Sequence, residues 1–169
     1  MEVLDAVKAR RSVREYDGRP VEREKLDLII DAGRLAPTAR NEQRVRVVIA
    51  DGKKEIDEIA AASYPWVSTA PCVIAVYADH DRTMMCGISS KVEDCCIALT
   101  SMMLEAVSLG LGTVWMGHFD APRVKKALGI PEDAILTAIM PVGYAADEGA
   151  PKEKLSREEF ASFGTVRRW

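Results

Sequence analysis

The chain has 169 residues, 48% hydrophobic and 29% charged, a balance that builds one core and excludes both an intrinsically disordered chain and an assembly of several catalytic modules. With 23 Lys and Arg against 26 Asp and Glu the net charge is −3, which excludes a surface made throughout for a polyanion; the expectation is no nucleic-acid partner. The longest apolar stretch, Cys72 to Ala78, is far short of the roughly 20 residues of a transmembrane helix, and charges in the first ten residues replace the apolar run of a signal peptide.

A cytoplasmic protein with no membrane contact is therefore expected. Val3, Leu4 and Val7 stand at helical spacing before Arg10-Arg11, predicting a short first helix. A second begins after Pro20, with Leu26, Ile29, Ile30 and Gly33 on one face, and must end before Pro37. A polar loop runs to Gln43, then a strand over Val45–Ala50, closed by Asp51-Gly52, and a helix over Lys53–Ala62. Ser63 to Pro71 reads as loop and Cys72 to Tyr77 as a buried strand. The longest helix is predicted from about Ser90 to Leu109, with Val92, Cys96, Leu99, Met103 and Ala106 on its apolar face and Gly110 as its stop. Thr113 to Met116 reads as a short strand, Asp120 caps a helix ended by Gly129, and Ile135 to Val142 is the last strand. Ser156 to Glu159 has the form of a capping box. No repeat or linker divides residues 1–169, so one α+β or irregular α/β domain is expected, its segment 145–169 reaching across to another subunit.

The four cysteines have neither Cys-x-x-Cys nor a zinc-finger histidine, so packing is expected and a metal is not. Asp79-His80-Asp81 reads as a solvated loop. No Gly-x-Ser-x-Gly elbow is present, and Gly110-Leu111-Gly112 follows a helix and precedes a strand, the reverse of a dinucleotide fingerprint. With no phosphate-binding Gly-x-x-x-x-Gly-Lys either, any chemistry must come from a borrowed cofactor.

Three segments carry positive information. Arg10-Arg11-Ser12-Val13-Arg14 gathers guanidinium forks and a hydroxyl suited to a phosphate. Ala36-Pro37-Thr38-Ala39-Arg40-Asn41-Glu42-Gln43 offers amides that can read the edge of a planar heterocycle. The third is Leu109-Gly110-Leu111-Gly112-Thr113-Val114-Trp115-Met116-Gly117. In order and spacing these resemble the FMN-dependent nitroreductase family, with its Arg-x-Ser, Ala-Pro-Ser-x-x-Asn-x-Gln and Leu-Gly-Leu-Gly-Thr-x-Trp-x-Gly segments. The resemblance runs from Ala6 to about Leu155 and takes in Ala70-Pro71, Asp94 and Gly143-Tyr144.

The resemblance implies an α+β fold: a mixed, mainly antiparallel sheet flanked by helices, with a long central core helix, in a homodimer. It further implies that Arg10, Ser12 and Arg14, with Arg11 adjacent, hold the flavin phosphate, joined by Lys152 and Lys154. Pro37, Thr38, Ala39, Asn41 and Gln43 would come from the opposite subunit, placing the flavin at the subunit interface. Trp115, Met116 and Gly117 would lie along the ring, the Gly117 backbone N–H facing flavin N5, with His118 as a candidate proton source.

Two features depart from the family pattern. After Gln43 stands Arg44-Val45-Arg46 where an aromatic pair is usual, so Arg40, Arg44 and Arg46 could meet an anionic substrate or simply face solvent. The chain also lacks a large covering insertion; Tyr64 to Trp66, with Trp66 a substrate contact, and Met84, Met85 and Cys86 are the candidate partial lids. The implied activity is ping-pong hydride transfer from NADH or NADPH through flavin N5 to a nitroaromatic, quinone or related small acceptor. The alternatives are another FMN chemistry, dehydrogenation or flavin remodelling, and a non-catalytic protein that binds a phosphorylated ligand.

Overall fold

The computed structural model describes residues 2–79 and 81–164. His80 and the terminal Val166 to Trp169, both noted in the sequence, lie outside the described residues. Strands β1 (Val45–Ala50), β2 (Cys72–Ala78), β3 (Gly112–Thr113) and β4 (Ile135–Gly143) form one sheet in the order β1-β2-β4-β3. Every strand pair is antiparallel. The sheet is the middle of three layers, because alternate residues of its central strands face opposite ways. Cys72, Ile74 and Val76 of β2, with Ala138, Met140 and Val142 of β4, meet helices α2 (Arg23–Arg34) and α4 (Ser90–Ser108). Val73, Ala75 and Ile139 face the other way, onto Ile56 and Ile59 of α3 (Lys53–Ala61) and Val124 of α5 (Ala121–Leu128). Covered on both sides, β2 shows the continuous apolar run of a buried strand.

The long helix α4 spans nearly the predicted range, but its buried side is rotated. Cys95, Ala98, Leu99, Met102 and Ala106 are buried, whereas Val92, Cys96 and Met103 of the expected face are only half covered. The helix is apolar around most of its circumference, so periodicity alone does not choose a face. Its end follows the residues: Gly110 at φ 78 lets Gly110 N–H reach Val107 O and Leu111 N–H reach Ala106 O, a Schellman closure. Asp120 caps α5 by accepting the Arg123 N–H.

Other expectations change as well. Strand β3 is shorter than Thr113 to Met116, since Val114 and Trp115 leave the ladder and Met116 re-engages β4 only through an isolated bridge to Ile139. The stretch Ser63 to Pro71 contains a 3-10 turn over Pro65–Thr69. In helix α1 (Val3–Ala9) only Ala6 is buried, and Val3, Leu4 and Val7 are exposed. Packing accounts for Cys72 and Cys95; Cys86 is exposed on the loop before α4 and Cys96 half covered. Burial pushes the Cys95 thiol up to about 11, which keeps it a small neutral core group.

Candidate functional site

After Ala9 the chain turns extended, and Ser12 pairs in parallel with Thr113 while Val13 N–H donates to Thr113 O at 2.9 Å. The arginine segment therefore lies along the glycine-rich segment, although about a hundred residues separate them. Gly112 permits this approach: a Cβ there would stand 2.6 Å from Val13 Cγ2. The seam is locked by Tyr16, whose buried hydroxyl shares its proton between Val13 O at 3.0 Å and Pro141 O at 3.1 Å. Burial holds that phenol well above its ordinary value, so it stays a donor.

Beside this seam Arg14 faces Trp115, Gly117 and His118 across a cavity of about 430 Å³, with Tyr64 and Trp66 at its side. Met116 lies deeper, buried in the α3/α5 core and fixed by reciprocal backbone bonds to Ile139 at 2.9 and 3.0 Å. Gly117 and His118 beyond it are exposed. Among the described residues the Gly117 N–H donates to no acceptor, and the Trp115 ring lies where a Gly117 side chain would begin, 3.1 Å from that position. The Tyr64 and Trp66 rings stack at 6.0 Å, and His118 stands 5.7 Å from Tyr64. An aromatic wall thus faces a free backbone donor and a cation.

The cations of the arginine segment and of the C-terminal arm divide into two kinds. Arg10 and Arg14, like Lys152 and Lys154, form no ion pair among the described residues. Arg11 is engaged: its guanidinium meets Asp147 Oδ1 at 2.7 Å, Oδ2 at 3.1 Å and the Asp147 carbonyl at 2.7 Å. This clamp and the Ala146 N–H bond to Glu15 O bring the start of the C-terminal arm to the arginine segment. Arg11 is thereby a tether for the arm that carries Lys152 and Lys154.

The tether has a defined pH dependence. The Arg11 hydrogen bond holds the Asp147 carboxyl below its ordinary value. A lowered folded-state value means that the contribution is complete above the ordinary carboxylate range and disappears as pH falls through the lowered value. Pepsin should cleave the arm faster in Asp147→Asn than in the parent near pH 4, and the ratio should fall toward one as the pH is lowered further. A constant ratio would show that the pair does not hold the arm.

The amide-rich loop lies elsewhere. Thr38 and Gln43 line a second cavity of about 340 Å³ with Gly33 and Ile30 of α2 and Met102 of α4, and it shares no lining residue with the first. Pro37 precedes a single 3-10 turn over Ala39–Asn41. Arg40, Asn41 and Gln43 are left-handed, at φ 54, 55 and 52, each at a cost of about 1–2 kcal/mol for a residue with a side chain. Local bonds close the loop: Asn41 N–H to Thr38 O at 2.9 Å and Gln43 N–H to Thr38 Oγ1 at 3.1 Å.

The three arginines read as meeting either an anion or solvent make no common site among the contacts of the described residues. Arg44 lies 3.6 Å from Asp79, and Arg46 donates to Gln43 O at 2.8 Å and Val45 O at 2.9 Å. Neither Arg40 nor Arg46 has an ion-pair partner among the described residues, Arg46 being held by backbone carbonyls alone. Of the two candidate lids, Tyr64 and Trp66 line the first cavity, whereas Met84, Met85 and Cys86 line neither. The sequence reading missed Lys91, a fully buried lysine beneath the amide-rich loop. A lysine in the first turn of a helix reads as solvated, and no local signal marks it as buried.

Comparison with known proteins gives a consistent result. The model of the Nitroreductase family matches residues 7–67 and 58–144. An "FMN reductase [NAD(P)H]" of Bacillus subtilis is 32% identical over 178 residues, covering 93% of this chain and 71% of the relative. An "NADH dehydrogenase" of Thermus thermophilus is 31% identical over 194 residues, covering 92% and 94%. Among solved structures, a nitroreductase family protein of Clostridium difficile superposes with a TM-score of 0.87 at 28% identity, covering 98% of this chain and 100% of the other.

Proposed function

Since the chain belongs to the nitroreductase family, we propose that it is an FMN-dependent NAD(P)H oxidoreductase whose flavin site is completed by a second copy of the chain. One observation carries the reading: Arg10 and Arg14, with no ion-pair partner among the described residues, flank the exposed Ser12 hydroxyl, on a segment bonded along the strand that leads to the Gly117 N–H, which has no acceptor among those residues. That donor set suits an FMN phosphate at one end and a ring nitrogen at the other. Bound FMN would supply a two-electron carrier, accepting hydride from the reduced nicotinamide and passing the electrons to a quinone, nitroaromatic or related small acceptor.

The chain's own part is binding and electrostatics. Arg10, Ser12, Arg14, Lys152 and Lys154 would hold the phosphate by charge-assisted bonds, with Arg11 fixing the start of the arm that carries the two lysines. The Gly117 N–H would be the donor available to a flavin ring nitrogen, where it would favour negative charge. Trp115 and Trp66 form the aromatic side of the cavity, and Met116 supports the segment from below. His118 can deliver a proton at the open edge, and Arg44 bounds the substrate approach once freed from Asp79.

The amide-rich loop opens onto a different cavity of the same chain, which supports its assignment to the opposite subunit's flavin. Exposed apolar groups support the dimer: Val3, Leu4 and Val7 on α1, and Leu155, Phe160 and Phe163 on an arm whose residues from Ala146 to Gly164 are all exposed. No helix among the described residues is long and apolar enough to cross a membrane.

The test is an anaerobic titration of the FMN-loaded protein with NADH and with NADPH. The flavin absorption should bleach with at least one nucleotide and return on addition of a quinone or nitroaromatic. Bound flavin that neither nucleotide reduces would overturn the reductase assignment, and a chain that takes up no FMN would overturn the cofactor.

A further inference from the structure

The side chain of Lys91 is fully buried at the N-terminal end of α4, one residue past the first helical position. This is the positive end of the helix dipole, where a cation is unfavourable and a carboxylate is the usual occupant. Two carboxylates offset it. Lys91 Nζ donates to Glu42 Oε2 at 2.6 Å, and Asp94 Oδ2 lies 3.8 Å away, one turn along the helix. Glu42 also has Arg82 at 3.5 Å, and its carboxyl is held below the ordinary range chiefly by the Lys91 bond.

Both carboxylates belong to contacts with the amide-rich loop. Asp94 Oδ1 accepts the Ala39 N–H at 2.8 Å at the start of the 3-10 turn, and Glu42 is itself the residue between Asn41 and Gln43. The ion pair therefore grips the loop at Ala39 and at Glu42, and the left-handed Arg40 and Asn41 lie between the two grips, with left-handed Gln43 directly after. A run of such residues persists only where its surroundings over-determine it. Buried ion pairs contribute little net stability, so a role in choosing one conformation accounts for this one better than a role in holding the fold.

We infer that Lys91, Glu42 and Asp94 are positioning residues that hold Thr38 to Gln43 in the conformation presenting Asn41 and Gln43 to the flavin. The inference rests on the reading of this loop as a flavin-binding segment. Lys91 acts through Glu42, and Asp94 through the Ala39 backbone; neither touches the flavin.

The test is FMN titration by fluorescence quenching on the full-length chain, paired with amide hydrogen exchange of the FMN-free protein. Asp94→Leu removes the acceptor of the Ala39 N–H, while Asp94→Asn keeps one. Asp94→Leu and Lys91→Met should each weaken FMN binding by about tenfold or more and speed exchange at Ala39 to Gln43, with exchange in the β2–β4 core unchanged. Asp94→Asn should stay within about threefold of the parent. If Asn41→Ala/Gln43→Ala loses affinity but Asp94→Leu and Lys91→Met bind and exchange like the parent, the positioning role is wrong. If Asn41→Ala/Gln43→Ala binds FMN like the parent, the assignment of the loop to the flavin is wrong instead. Should Lys91→Met fail to fold, the contrast between the two Asp94 variants decides the matter.

Discussion

Replacing Arg10 and Arg14 together by alanine is expected to weaken FMN binding by about 100-fold or more while leaving the folded chain intact. Each guanidinium that bonds a phosphate contributes about 1.5–3 kcal/mol, and neither is engaged in an ion pair among the described residues, so their removal opens no contact within the chain. Arg11→Ala should act differently. It frees Asp147 and the arm, so flavin affinity should fall by the smaller share that Lys152 and Lys154 supply. Equilibrium titration with FMN checks both, and repeating it at high salt should narrow the gap between the parent and the double variant. Equal affinities for parent and double variant would remove the arginine segment from the site.

Gly112→Ala is expected to carry the largest stability cost among single substitutions at the site. Its Cβ would fall 2.6 Å from Val13 Cγ2, 3.0 Å from Val13 Cβ and 3.1 Å from Cγ1, leaving no side-chain rotation that relieves all three. The two segments must therefore part, which strains the Ser12–Thr113 bridge and the Val13 N–H bond. Overpacking of this kind costs about 1–3 kcal/mol, measurable as a lower urea midpoint. Because the parted segments carry Arg14 on one side and Gly117 on the other, FMN affinity should fall with it. A variant of parental stability would show that the seam yields without cost.

Much of this arrangement was legible in the residues. The strand Cys72–Ala78 declared itself by an unbroken apolar run, the end of α4 by Gly110, and the cap of α5 by Asp120, because each signal is local. Order and spacing of three motifs also reached the family. What stayed hidden depends on tertiary contacts. The buried side of α4 could not be chosen on a helix apolar nearly all round. The engagement of Arg11 depends on Asp147, 136 residues away. The partners of Arg44 and Arg46 likewise turned an apparent basic cluster into separate local contacts. Lys91 looked like any surface lysine until Glu42 and Asp94 closed around it.

The account's central claim is that the arginine–glycine seam of one chain and the amide-rich loop of another are halves of one flavin site. Complementation between two defective chains tests it most directly. Arg10→Ala/Arg14→Ala and Asn41→Ala/Gln43→Ala are co-expressed with different tags, and the mixed dimer is titrated with FMN at concentrations that saturate the parent but neither variant alone. One flavin should bind per mixed dimer, at parental affinity, because one of its two sites draws both halves from unaltered segments. Mixed dimers that bind no more flavin than the two variants do alone would place both halves on the same chain and contradict the shared site.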